Sequence, residues 1–198
     1  MRCLVTDRRR LCRNEKGACR RLLAQAQWAV DTAVDLIQVR EPDLDTASLA
    51  ALVGEVVRIS RGSGTRVVVN DRVDVALASA ADGVHLRGDS VPAGAVREIA
   101  PAGFLVGRSV HRVEEAVAAG DVDYLIAGAV FPTRSKPGAA PLLGLDGLVE
   151  IVQAVRMPVL AIGGITEERL DEVAATGAAG IAAIGLFIDW FDRGEPPS

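Results

Sequence analysis

Several short runs in this 198-residue chain bring together groups able to hold an anion. Phe131-Pro-Thr-Arg-Ser-Lys-Pro-Gly138 sets the hydroxyls of Thr133 and Ser135 and the cations of Arg134 and Lys136 between two prolines. Hydroxyls, backbone amides and cations together suit a phosphate; the plainer alternative is a solvated surface loop. Lys136 stands out because Lys16 and Lys136 are the only lysines among 22 basic residues. The turn Gly163-Gly164 permits close backbone approach to a ligand. Thr166 behind it is placed to cap a helix whose N-terminus would attract phosphate, although Arg169 stands where a capping box wants Glu or Gln. In Gln38-Val39-Arg40 the polar pair shares one face of a strand. Polar groups on a buried strand must be paired or bind something. The choice is between a structural arginine–glutamate pair and recognition of an anion or ring by a fixed guanidinium fork.

Proton transfer has two candidates, since His85 and His111 are the only histidines. His111 follows Val106-Gly107-Arg108-Ser109 and is placed to act as a general acid or base, against a helix-capping or structural role. His85 sits within Gly-Val-His-Leu and reads equally as a packed, hydrogen-bonded core residue or a ligand contact. The cysteines, Cys3, Cys12 and Cys19, are odd in number and poorly spaced for zinc, so they are expected to be plain thiols.

Those groups need a frame, and alternation supplies it. Short β-branched runs recur at Cys3–Thr6, Leu36–Val39, Arg66–Asn70, Gly83–Leu86, Phe104–Ser109, Tyr124–Ala127, Val159–Gly163 and Gly180–Ile184. Each is apolar on both faces, as a strand lying between a barrel interior and a helix layer must be. Helical segments separate them: Thr46–Arg61 aligns Leu49, Leu52, Val53 and Val56 on one face, and Val73–Ala80 and His111–Ala119 are shorter. The pattern predicts a single (β/α)8 barrel over residues 1–193 and a flexible tail over 194–198. A doubly wound sheet is the alternative, but no G-x-G-x-x-G follows the first strand. In a barrel, the polar residues at strand C-termini gather on one rim: Gln38 and Arg40, Asn70 and Asp71, Ser109 and His111, Thr133, then Gly163 and Gly164. Hydrophobic residues make up 49% of the chain and the net charge is −4, which excludes a disordered chain and argues against a nucleic-acid partner. No apolar stretch approaches the roughly 20 residues of a membrane span, and no secretory signal opens the chain. A cytoplasmic protein is expected.

In order along the chain, Leu-Val-Thr-Asp7, Gln38-Val-Arg-Glu41, Val69-Asn-Asp-Arg-Val-Asp-Val-Ala-Leu77, Ala81-Asp-Gly-Val-His-Leu86, Gly107-Arg-Ser-Val-His111, Phe131-Pro-Thr-Arg-Ser-Lys136 and Ala161-Ile-Gly-Gly-Ile165 resemble the thiamine phosphate synthase/TenI superfamily. The resemblance implies a (β/α)8 barrel acting on a thiazole phosphate, with one of two chemistries. Thiamine phosphate synthase joins a pyrimidine diphosphate to a thiazole phosphate, using Mg²⁺. The TenI-type tautomerase aromatises a thiazole phosphate carboxylate without a metal. The synthase pattern matches at Gln38, Arg40, Asn70, Ser109, Thr133, Ser135, Lys136 and at Asp71, a Mg²⁺ carboxylate. It fails at Pro42, where a lysine is usual, and at Ser90, which takes the place of the second metal aspartate. Asp89, one residue earlier, is the nearest substitute. Because Arg87-Gly-Asp-Ser90 and His111 look more like the tautomerase branch, the expectation leans to an isomerase without cofactor. There His111 would move the proton, Arg40 would orient the substrate carboxylate, and Gly163-Gly164 would hold the phosphate. The alternatives are the Mg²⁺ synthase and a non-catalytic phosphate-ligand regulator; a homo-oligomer is compatible with all three.

Overall fold

The computed structural model describes residues 1–133 and 142–197. Eight parallel strands close into a barrel in sequence order. They are β1 (Arg2–Val5), β2 (Leu36–Val39), β3 (Arg66–Asn70), β4 (Gly83–Leu86), β5 (Leu105–Val110), β6 (Tyr124–Gly128), β7 (Val159–Ile162) and β8 (Gly180–Ala183). The helices outside it are α1 (Arg8–Leu11), α2 (Glu15–Asp31), α3 (Thr46–Ser60), α4 (Val73–Ala78), α5 (Ala93–Ile99), α6 (Val113–Val117), α7 (Gly144–Ala154), α8 (Leu170–Ala175) and α9 (Gly185–Arg193). Closure comes from β1 pairing β8, with Cys3 opposite Ala182.

The apolar residues on both faces of the strands follow from two separate cores. Inward residues such as Cys3, Val5, Leu36, Val68, Ile126 and Leu160 fill the barrel. Their neighbours Leu4, Ile37, Val69, Val84, Val106 and Leu125 face the helices in a larger core. Few aromatics are needed, and most of them sit together: Trp28, Phe187, Trp190 and Phe191 meet edge to face between α2 and α9.

A repeated device pins the strand N-termini. Asp35, Asp82 and Asp123 each stand one residue before an even-numbered strand, β2, β4 or β6. Each carboxylate accepts from a backbone N–H of the preceding odd strand: Arg2 at 2.6 Å, Val67 at 2.7 Å and Val106 at 2.6 Å. Below β1 the chain end also docks, as Arg2 Nη1 donates to the Pro197 carbonyl at 2.8 Å and Pro197 is buried.

The strands fall where the sequence puts them to within one residue at each end. The short helices differ more. The segment expected from His111 to Ala119 is helical only over Val113–Val117. His111 is held out of the helix because its N–H donates to Glu115 Oε2 at 2.8 Å while its ring bonds Gly128. A helical segment does begin behind Thr166, as a three-residue 3-10 turn, Glu167–Arg169, that continues into the six-residue α8, but no Thr166 side-chain cap forms. Arg169 instead donates to the Gly164 carbonyl at 2.7 Å and stacks 4.3 Å above the Phe131 ring.

Candidate active site at the barrel rim

Parallel closure puts every strand C-terminus on one face, so the rim residues are neighbours by topology. Gln38 and Arg40 rise from β2. The first turn after β1 prepares their setting. Thr6 Oγ1 donates to Glu41 Oε1 at 2.7 Å and accepts from the Arg40 N–H at 2.9 Å. Arg8, 1% exposed, pairs with buried Glu41 at 3.0 Å and with Asp43 and Glu15. Burial pushes the Glu41 carboxyl above its usual range, against the pull of Thr6 and Arg8, whereas the Arg8 hydrogen bond holds Asp43 below it. The structural arginine–glutamate pair therefore exists, but its arginine is Arg8. The Arg40 guanidinium has no acceptor among the described residues and stays half-buried at the mouth.

Gln38 is 3% exposed and donates from Nε2 to Asn70 Oδ1 at 2.9 Å. Among the described residues its Oε1 is buried without a partner. A buried acceptor left unpaired is costly, so this oxygen is suited to a donor carried by a ligand.

Asp71 follows β3 with φ +64°, a left-handed conformation that aspartate adopts more readily than most other residues bearing a side chain. Ser90 Oγ donates to Asp71 Oδ1, and Arg87 lies 3.5 Å from Oδ2. Arg87 is itself paired with Asp89 at 2.5 Å. The chain thus brings Asp71 and Ser90 together, and leaves the Asp89 carboxylate paired with Arg87. Among the described residues no group of three His, Cys, Asp or Glu side chains gathers to hold a metal. The donors present are one carboxylate and one neutral hydroxyl. These hard oxygens fit Mg²⁺ only when phosphate oxygens complete the shell, since Mg²⁺ commonly takes one or two carboxylates plus substrate phosphates and keeps several waters.

Ser109 and His85 meet inside the barrel at 2.8 Å, and His85 also meets the Tyr124 hydroxyl at 3.2 Å. Burial, helped by the charge of Arg108, drives the His85 pKa from 6.5 down to about 3, so the ring stays neutral. His111 is exposed at the end of β5 and donates from Nδ1 to the Gly128 carbonyl on β6. Gly163 and Gly164 have φ of +102° and +64°. A Cβ on Gly164 would lie 2.4 Å from the Pro132 carbonyl, so the glycine pair also lets β7 pack under the loop that follows β6. Thr133 lies on that loop. Ser135 and Lys136 lie outside the described residues.

Reading by strand ends did not single out Arg8 or Tyr124. Nothing in the sequence announces that Arg8 meets a glutamate 33 positions away. Tyr124 left one signal: it is the chain's single tyrosine, on an inward position opposite Gly107.

A sequence profile of the family described as Thiamine monophosphate synthase matches residues 3–187. The thiamine-phosphate synthase of Methanoregula boonei is 42% identical over 82% of this chain and 76% of its own length. That of Roseiflexus castenholzii is 40% identical over 93% and 79%. Among solved structures, thiamine phosphate pyrophosphorylase from Pyrococcus furiosus superposes with a TM-score of 0.78 at 37% identity, over 92% of this chain and 84% of that one. These relatives overturn the lean to a TenI-like tautomerase. At about 40% identity they carry synthase names, and an isomerase with His111 as proton carrier and Arg40 on a substrate carboxylate is set aside.

Proposed function

The chain belongs to the thiamine monophosphate synthase family, and from that membership we propose that it is a transferase joining hydroxymethylpyrimidine diphosphate to a thiazole phosphate. A C–N bond forms between the thiazole nitrogen and the pyrimidine methylene carbon. The C–O bond to diphosphate breaks, and pyrophosphate leaves with that electron pair. The observation that carries this reading is the identity of about 40%, over most of the chain, to relatives named thiamine-phosphate synthase.

The rim geometry supports roles for Gln38, Asn70, Arg40, Asp71 and Ser90, and the family resemblance alone supports those of Ser135 and Lys136. The buried Gln38 Oε1 accepts from the amino group of the pyrimidine while Asn70 fixes the amide. Arg40, anchored through its backbone and without a competing acid among the described residues, binds anionic oxygen. Thr133, Ser135 and Lys136 receive the diphosphate, and the amides of Gly163 and Gly164 receive the thiazole phosphate. Asp71 and Ser90 would hold Mg²⁺ together with the diphosphate; the ion would supply charge neutralisation of the leaving group. Arg87 stands beside Asp71 as an additional cation. His111 carries no proton in this account, because the bond exchange above needs no acid or base at that position.

Replacing Arg40 tests the placement. Arg40→Ala should lower kcat/KM for the pyrimidine diphosphate by about 10²-fold or more, the loss expected when a charged contact to the reacting group is removed. A loss below about threefold would remove Arg40 from the site.

A further inference from the structure

Three inward side chains of β4, β5 and β6 form a chain of hydrogen bonds: Tyr124 hydroxyl to His85 Nδ1 at 3.2 Å, and His85 Nε2 to Ser109 Oγ at 2.8 Å. The fold makes room for it specifically. A Cβ at Gly107 would lie 2.2 Å from Tyr124 Cζ, so the tyrosine ring lies where a side chain at position 107 would be. Tyr124 is 3% exposed and His85 1% exposed.

Counting protons along this chain gives it a direction. Among the described residues the Tyr124 hydroxyl has one hydrogen-bond partner, His85 Nδ1. A buried hydroxyl needs an acceptor for its hydrogen, so Tyr124 donates and Nδ1 accepts. With Nδ1 accepting, the ring proton sits on Nε2 and is donated to Ser109 Oγ. The opposite tautomer would leave a buried O–H with no acceptor among the described residues. Ser109 therefore accepts from below. Its own hydrogen has no acceptor among the described residues, and the residue is half-buried at the rim.

We propose that Tyr124 is a positioning residue: by fixing the tautomer of His85, it makes Ser109 a hydrogen-bond donor to an acceptor atom of the bound substrate. The role of Ser109 toward substrate rests on the synthase reading; the direction of the chain does not.

With two histidines in the protein, ¹⁵N-histidine NMR at pH 7 reads the tautomer directly. The His85 signals are assigned by their loss in His85→Gln. The proton should be found on Nε2 of His85, with Nδ1 unprotonated. Tyr124→Phe should move the Nδ1 resonance while leaving those of His111 in place. A proton on Nδ1 of His85 in the wild type overturns the proposal. Kinetics test the consequence. Tyr124→Phe should lower kcat about 10-fold with KM within about twofold, the scale of one redirected hydrogen bond. In a Ser109→Ala background it should cost nothing further. Equal losses in both backgrounds would show that Tyr124 does not act through Ser109. The NMR arm needs no substrate, so failure of the proposal and failure of the synthase reading are told apart.

Discussion

Ser90 at the rim and His85 beneath it show how single side chains govern charge in and below the site. Ser90 offers its hydroxyl to Asp71 where a second carboxylate would bring a second negative charge, and Arg87 adds a positive one. Mg²⁺ alone should therefore bind in the millimolar range or weaker, because one carboxylate and one hydroxyl leave most of the shell to water. Ser90→Asp should tighten Mg²⁺ at least about 10-fold by calorimetry, through one added carboxylate. Submillimolar binding by the wild type, abolished in Asp71→Asn, would mean another donor completes the site. His85 makes a prediction about acid. Its folded pKa of about 3 lies below the 6.5 of an unfolded ring, so unfolding takes up a proton as the pH falls. The contribution is fully present above pH 6.5 and is lost as pH drops from there toward 3. By pH 5 it should cost about 2 kcal/mol, at about 1.4 kcal/mol per pKa unit. Urea unfolding at pH 7.5 and pH 5 should show this fall in the wild type and not in His85→Gln. The raised carboxyl of Glu41 works in the opposite sense, and it cancels because both proteins carry it. Parallel falls would show that His85 is not the group responsible.

The strands hold their places partly through the aspartates that precede β2, β4 and β6. Asp82 is the best test, because it accepts from Val67 N–H and pairs with exposed Arg66 at 2.7 Å. Asp82→Ala would leave that N–H without its acceptor and should destabilise the barrel by about 1–3 kcal/mol, against about 0–1 for Arg66→Ala, which breaks only the exposed pair. Equal effects of the two variants in urea unfolding would assign the whole contribution to the ion pair. The strands were legible because burial on both faces writes an apolar run with β-branched residues, whatever the helices do. The clips were not legible, since an aspartate before a strand looks like any turn residue until the neighbouring strand is in register. The extent of the helix after β5 was misjudged for a related reason. The ends of α6 and α8 are set by bonds to other strands and loops, His111 to Gly128 and Arg169 to Gly164 and Phe131, which local periodicity does not contain.

The whole molecule is a frame that delivers short polar segments from different strands to one rim. That rim could be read in the sequence as soon as the strands were counted, because parallel closure fixes which ends meet. What the rim does could not be read so directly. Ser90, Pro42 and His111 pull away from the synthase pattern, while Gln38, Asn70 and Asp71 hold to it. A handful of positions cannot outweigh one another without the rest of the chain. Identity of about 40% over most of its length favours the synthase reading over the tautomerase, and the acceptor of Gln38 and the guanidinium of Arg40, both without a partner among the described residues, are consistent with it. The central claim is that these rim groups together make a C–N bond with loss of diphosphate. The direct test is incubation of the protein with hydroxymethylpyrimidine diphosphate, thiazole phosphate and millimolar Mg²⁺, followed by chromatography of thiamine phosphate and a parallel count of pyrophosphate. The account predicts both products in equal amounts, dependent on both substrates and lost on chelation of the metal. Absence of thiamine phosphate from a folded protein that still binds the thiazole phosphate would contradict it and leave a binding protein on a synthase barrel.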